Sequence, residues 1–431
     1  MTLHRQPIRP NESDSRRASV APAIDLSLDA VARRLNGAFD TLAAPVLALD
    51  MAALRANVED LRRRALGTPI RLATKSIRVE AVIDLLVGAD AGVTGFRGAM
   101  AYSAAEAVYL ARRGVADILV GYPTVDRATI AEIAADDVLR ERITLMVDSG
   151  DQVGLVADAA SGAPVRLCLD IDASLRIGPA HLGVRRSPLR TPAQAAAVAA
   201  DARARGLTVV GVMFYEAQVA GMPDRQDGIA AALHERAVAL VKRRTMRELS
   251  TRRTAVVDAV VDAAGPIELV NSGGTGSISE SAADPVVTEV TAGSGVFGPT
   301  LFDRYTSFRP HPALMYALPI VRTPGRRIAT AFSGGYIASG PPSASRAPSP
   351  VALFGAGGVA VPLRGLVAAE GAGEVQTPIR HRGTVRPGDR LWMRHAKSGE
   401  ICERFDRVHL VEPNGAVTEV PTYRGAGLCF G

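Results

Sequence analysis

Eight short apolar runs of β type recur between residues 70 and 291, and segments of helical character lie between them. The runs are 70–74, 91–96, 117–121, 143–147, 165–170, 208–214, 267–271 and 287–291. Helical patterns such as 101–113, 191–205 and 228–264 connect them. Strands alternating with helices specify βαβ units and a parallel sheet. Eight such units over about 225 residues fit a closed (β/α)8 TIM-type barrel, with a doubly wound open sheet as the alternative.

The pattern changes near residue 300. Short β-type runs broken by Gly and Pro follow, and 339–350 (SGPPSASRAPSP) has the composition of a surface loop. Pro413-Asn414-Gly415 between two apolar runs signals a hairpin. The expected class is therefore α/β: a barrel followed by a C-terminal all-β domain. The domains expected are a flexible N-terminal arm over 1–38, a barrel over 39–305 and a β domain over 306–431. The first twenty residues are polar and have no apolar centre, so they do not read as a secretory signal. No run of eighteen apolar residues is present, and there are 3 cysteines, so a soluble protein of the reducing cytoplasm is expected. The net charge of +6 is spread along the chain and aromatic residues are only 4%, which argues against a nucleic-acid surface. A small anionic substrate suits the charge as well.

Of 50 basic residues only Lys75, Lys242 and Lys397 are lysine. A chain that uses arginine wherever a plain positive charge is needed makes each lysine informative, because lysine can lose its proton and attack a carbonyl. Lys75 directly follows the first barrel strand, and the C-terminal strand ends are where barrel enzymes place their catalytic groups. The loop Asn271-Ser272-Gly273-Gly274-Thr275-Gly276 follows the seventh strand, and Gly293-Ser294-Gly295 follows the eighth. Barrel phosphate sites are often built from these two loops. A carbonyl-reactive lysine beside a phosphate cradle describes pyridoxal 5'-phosphate.

These residues, with the opening Ala44-Pro45-Val46-Leu47-Ala48-Leu49-Asp50, resemble the fold-type III pyridoxal-phosphate enzymes. This is the group of alanine racemase, D-threonine aldolase and D-serine dehydratase, and the likeness is nearest to the aldolase and dehydratase branch. It spans residues 40 to 431. It implies a Schiff base on Lys75, the cofactor phosphate on Ser272 to Gly276 and Gly293 to Gly295, and a homodimer with active sites near the interface.

The resemblance also implies a divalent metal in the C-terminal domain, zinc or manganese, that polarises the substrate β-hydroxyl. His395 matches a ligand position. The tight His-x-Cys spacing is absent, so the second ligand is Cys402 or Glu400. Tyr215 and Gln218 occupy the segment where aldolases carry a Tyr-x-Gly-His pattern, and Gln218 cannot act as a base. His181, or Arg176 in a shifted register, resembles the residue that meets the cofactor phenol oxygen, and Arg185 and Arg186 are placed to meet a substrate carboxylate. Cys168, inside an apolar strand, reads as core. The function expected is a lyase acting on a D- or β-hydroxy amino acid, by dehydration and deamination or by retro-aldol cleavage. The rivals are an amino acid racemase, using Tyr305, Tyr316 or Tyr336 of a partner, a decarboxylase of similar two-domain build, and a non-catalytic cofactor-binding protein.

Overall fold

The computed structural model describes residues 24–39, 45–91, 95–225 and 231–431. Strand β1 (Val46–Asp50) runs directly into helix Met51–Arg64. The Asp50 carboxylate caps that helix, accepting from Ala53 N at 2.9 Å, and so satisfies one of the orphan N–H groups of the first turn. Then come β2 (Ile70–Ala73), β3 (Phe96–Ala101), β4 (Ile118–Val120), β5 (Ile143–Val147) and β6 (Arg166–Ile171). A small hairpin, β7 (Leu175–Ile177) and β8 (Ala180–Leu182), precedes β9 (Thr208–Phe214), β10 (Leu269–Ser272) and β11 (Glu289–Ala292). Apart from β1 and the hairpin these strands pair in parallel and close in the order β2-β3-β4-β5-β6-β9-β10-β11, with β11 returning to β2. The fold is thus the expected (β/α)8 barrel. The helices between strands carry their own start signals: Thr191 and Gln194 form a reciprocal capping box with Pro192 in the first turn.

β3 departs from the expected 91–96, of which 92–94 lie outside the described residues. The strand is hard to read because Arg97 and Gly98 interrupt its apolar content. Gly98 is required there, since a Cβ would lie 2.4 Å from the Asp117 carbonyl oxygen.

Inside the barrel, Leu119, Met146, Cys168, Met213 and Leu269 form an apolar layer, with Cys168 in the core role expected of it. Beside it Arg71 pairs with Glu289 at 2.7 Å and Asp117 at 2.9 Å. Burial opposes the Arg71 charge, but the two carboxylates outweigh it and raise its pKa.

The C-terminal strands are β12 (Leu314–Gly325), β13 (Ile328–Phe332), β14 (Ser349–Phe354), β15 (Ala360–Val361) and β16 (Leu363–Leu366). β17 (Gln376–His381), β18 (Arg390–Arg394), β19 (Arg407–Val411) and β20 (Val417–Pro421) complete the set. The main path is β15-β14-β18-β12-β1-β19-β20, and β13 pairs with β12 and β17. β1 therefore belongs to this sheet, antiparallel to β12 and parallel to β19, although it precedes the barrel in sequence. It lies within the span 39–305 expected to form the barrel. Within the segment expected to be a flexible arm, Leu28–Gly37 is a helix. Its Val31, Ala32 and Leu35 are buried at helical spacing, and Trp392 Nε1 donates to Asn36 Oδ1 at 3.1 Å. Residues 1–23 of that arm lie outside the described residues. Among the described residues no helix is long and apolar enough to cross a membrane.

Candidate active site

β2 ends in a single 3-10 turn, Thr74–Ser76, which carries Lys75. Thr74 Oγ1 donates to the Met100 carbonyl at 3.0 Å and ties the turn to β3. Lys75 Nζ donates to the phenol oxygen of Tyr122, just after β4, at 2.5 Å. The Arg186 guanidinium lies 5.8 Å from the Tyr122 ring centre and 5.4 Å from that of Tyr215, so it rests against both phenols. A cavity of about 190 Å³ opens among these groups. It is lined by Lys75, Tyr122, Arg186, Tyr215, the two glycine loops and, from the C-terminal domain, Lys397.

The glycine loops are joined to each other. Thr275 Oγ1 accepts from Gly295 N at 3.2 Å, and Arg64 donates to the Thr275 carbonyl at 2.8 Å. Gly276 sits so close to Ala220 that a Cβ would fall 2.1 Å from its carbonyl oxygen, so no other residue fits without moving backbone. Gly273, Gly274, Thr275, Gly276, Gly293 and Ser294 all line the cavity. Two glycine-rich loops and a lysine lining one cavity suit a phosphate-bearing aldehyde. The residues present thus fit pyridoxal phosphate: Lys75 and the two joined loops line one cavity.

Several expected site residues are placed elsewhere. Ser272 is fully buried: its Oγ lies 2.9 Å from both the Phe214 carbonyl and Glu216 Oε2, and accepts from Arg253 at 2.8 Å. That hydroxyl is committed to the fold and does not face the cavity. Asn271 reaches the cavity wall, but its amide donates to Glu289 at 2.7 Å and Thr291 at 2.8 Å inside the barrel. Gln218 is buried and donates to the Ala173 carbonyl at 2.7 Å, bracing the segment after β6 without lining the cavity. His181 sits on β8, its Nε2 3.2 Å from the Val184 carbonyl, in a separate open pocket of about 510 Å³ with Arg176 and Arg185. Only Arg186, of the basic residues expected near the substrate, lines both.

Two residues that the sequence did not single out prove central. Tyr122 is one. Glu216 is the other: fully buried, it accepts from Ser277 and Ser281 at 2.6 Å each, from Ser272 at 2.9 Å and from Gly273 N at 3.3 Å. It gathers the loop after β10 into one shape. Nothing in the local sequence marks it, because its partners come from residues more than fifty positions away. At the end of β6, burial and then the neighbouring Asp148 push the Asp170 carboxyl up to about 7, against which Arg186 acts only partly.

The donors expected for a metal do not assemble. His395 is buried, its Nε2 3.3 Å from Ser398 Oγ, and burial followed by Arg394 pushes its pKa down to about 3. Cys402 is buried too, seven positions along the chain from His395, and burial pushes its thiol up to about 12. Glu400 is taken up by Ser339 and Lys397. Among the described residues no three His, Cys, Asp or Glu side chains are grouped to hold an ion. The residues present do not fit the zinc or manganese centre that the resemblance implied.

A sequence profile of the family described as alanine racemase, N-terminal domain, matches residues 49–300, more than half of the chain. The chain belongs to this family. At the level of sequence alone, no curated protein matches it. Among solved structures, D-threonine aldolase from Filomicrobium marinum is similar with a TM-score of 0.67 and 20% identity, over 89% of this chain and 95% of that one. D-threo-3-hydroxyaspartate dehydratase from Delftia sp. HT23 is similar with a TM-score of 0.64 and 19% identity, over 89% and 98%. Alanine racemase from Clostridium difficile 630 is similar with a TM-score of 0.57 and 13% identity, over 89% and 100%. At such identities the likeness establishes the fold, which the alanine racemase family shares with other fold-type III pyridoxal-phosphate enzymes. It does not separate aldolase, dehydratase and racemase.

Proposed function

We propose that this protein is a pyridoxal-phosphate-dependent lyase acting on a D- or β-hydroxy amino acid. The observation that carries the reading is the cavity itself, about 190 Å³, lined by Lys75, by the two glycine loops and by further cations. When bound, the cofactor supplies an electron sink for the cleavage of one bond at the substrate Cα. Lys75 is the residue that would anchor it. The same Nζ is placed to take the Cα proton, and the Tyr122 phenol at 2.5 Å holds that nitrogen in position. Arg186 would take the substrate carboxylate, a charge-assisted contact that orients the amino acid.

Within this reading dehydration with deamination is favoured over retro-aldol cleavage. The described residues lining the cavity include no histidine, and Gln218 does not reach it, so the histidine base of the aldolase pattern has no counterpart there. The racemase reading needs a second acid or base from a partner. Tyr305 and Tyr316 are buried, and their hydroxyls are engaged by the Ala220 and Gly334 carbonyls of the same chain. Of the three tyrosines, Tyr336 alone keeps partial exposure.

The test is product analysis. Purified protein with pyridoxal phosphate is given D-serine and D-threonine, scoring keto acid with ammonia, glycine with aldehyde, and inversion at Cα. Keto acid and ammonia, lost in Lys75→Ala, is the expected outcome. Inversion without either cleavage product would overturn the lyase reading in favour of a racemase.

A further inference from the structure

Two of the chain's three lysines line the same cavity. Lys75 comes from the barrel and Lys397 from the loop after β18. With Arg186 they give that cavity three cations, and among the described residues no carboxylate lines it. In a chain with 50 basic residues and three lysines, this coincidence marks position 397 as one where a compact ammonium is wanted rather than a guanidinium.

The loop bearing Lys397 is held against the Lys75 turn by several independent contacts. Gly399 has φ +92, and a Cβ on it would fall 1.9 Å from the Lys75 carbonyl oxygen. Ser398 Oγ donates to the Ser294 carbonyl at 3.0 Å, and Ser294 Oγ is 3.0 Å from Ser76 Oγ. Thr300 N and Leu301 N donate to the His395 and Ala396 carbonyls at 3.1 Å each. The ammonium is fixed as well: Nζ donates to Ser339 Oγ at 2.7 Å and pairs with Glu400 at 2.9 Å. An ammonium has three N–H donors. Two are directed at Ser339 and Glu400, and the third is left over; Lys397 lines both this cavity and a neighbouring pocket of about 330 Å³ that Glu400 also lines.

We propose that Lys397, in place of a divalent cation, is the positive group that binds the oxygen on the substrate Cβ, and that the enzyme therefore works without a metal. The proposal rests on the lyase reading above. It makes Lys397 a specificity-determining residue: it recognises β-oxygenated amino acids and is indifferent to the same molecules without that oxygen. It also accounts for the missing donor set around His395 and Cys402, since the cationic role is already filled.

The experiment uses the cofactor-loaded protein with Lys397→Met and Lys397→Arg. Dissociation constants for D-serine and for D-alanine, which lacks the β-oxygen, are read by stopped-flow absorbance of the bound cofactor. Bound divalent metals are counted by mass spectrometry, before and after dialysis against a chelator. We expect Lys397→Met to weaken D-serine by about tenfold or more and to leave D-alanine unchanged, as the loss of one charge-assisted hydrogen bond requires. Lys397→Arg, which keeps the charge beside Glu400, should weaken D-serine less, and its shift is the one read if the Met variant does not fold. Wild-type turnover should persist in the chelated protein with less than one metal per ten chains, a limit of about 0.1. Equal weakening of both ligands, or activity that vanishes on chelation and returns with zinc or manganese, would overturn the proposal while leaving the lyase intact. Wild-type protein that shows cofactor absorbance yet binds D-serine and D-alanine equally, and turns over no β-hydroxy amino acid, would overturn the lyase reading itself.

Discussion

Asp170→Asn should stabilise the protein in a strongly pH-dependent way. Asp170 lies near the end of β6, and its carboxyl is pushed from 3.8 up to about 7, first by burial and then by the charge of Asp148. A carboxyl whose folded pKa exceeds its unfolded value costs nothing while it is protonated in both states. Its penalty therefore begins as pH rises past the unfolded value near 4, grows by about 1.4 kcal/mol per pH unit and levels off above about pH 7. Over roughly three units that is a loss of about 4 kcal/mol. An amide of the same shape carries no charge and escapes the penalty. The contact from Ser187 Oγ at 2.6 Å goes to the Asp170 backbone carbonyl and survives the substitution. Urea unfolding of both proteins at pH 4, 5, 6, 7 and 8, without cofactor, separates this group from all others that titrate in common. The two stability curves should nearly coincide at pH 4 and diverge steadily up to pH 7, with Asn the more stable. Curves that stay parallel would refute the reasoning, because they would mean that Asp170 ionises as easily in the folded protein as in the unfolded chain.

Two further substitutions address the glycine loops. Gly276→Ala places a Cβ 2.1 Å from the Ala220 carbonyl oxygen and 3.0 Å from the Tyr305 ring, so the loop must shift. A loss of about 1–3 kcal/mol in stability is expected, together with weaker cofactor binding seen by absorbance titration. Glu216→Ala removes the common acceptor of Ser272, Ser277, Ser281 and Gly273 N. With several buried donors left unpaired, a drop of at least about 3 kcal/mol is expected in urea unfolding, and Glu216→Gln should recover part of it because one carbonyl oxygen still accepts.

What could be read from the sequence divides along a physical line. The barrel was legible because strands buried on both faces must be apolar, and 143–147 and 208–214 appear in the structure with the same bounds. The positions of Lys75 and of the loops after β10 and β11 were legible for the same reason, since a strand end fixes where the next residue emerges. The fate of polar side chains was not. Ser272, Gln218 and His181 were all expected near the cofactor, yet each is occupied by another partner: Glu216 and Arg253, the Ala173 carbonyl, and the Val184 carbonyl of its own turn. Spacing along a chain reports which way a backbone runs, and it says nothing about which acceptor arrives first at a hydroxyl or an amide.

The same distinction explains why the second domain matters to the site. β1 lies inside the C-terminal sheet, between β12 and β19, and passes without a linker into helix Met51–Arg64. From that helix Asn57 donates to the Val296 and His311 carbonyls, at 3.0 and 2.8 Å, and accepts from His311 N at 2.6 Å. One buried amide thus holds the segment after β11 to the segment that leads into β12. A chain that starts in one sheet, builds a barrel and returns to that sheet has two covalent crossings between its domains, and Asn57 fastens one of them. Domains joined by a single flexible linker move against each other by default, and these are tied at both ends. The distance between the Lys75 turn and the Lys397 loop is therefore a property of the whole fold. A hydrogen-bonding cation supplied from the second domain needs that fixed distance, because an ammonium that drifted by an ångström would lose most of the bond it is placed to make.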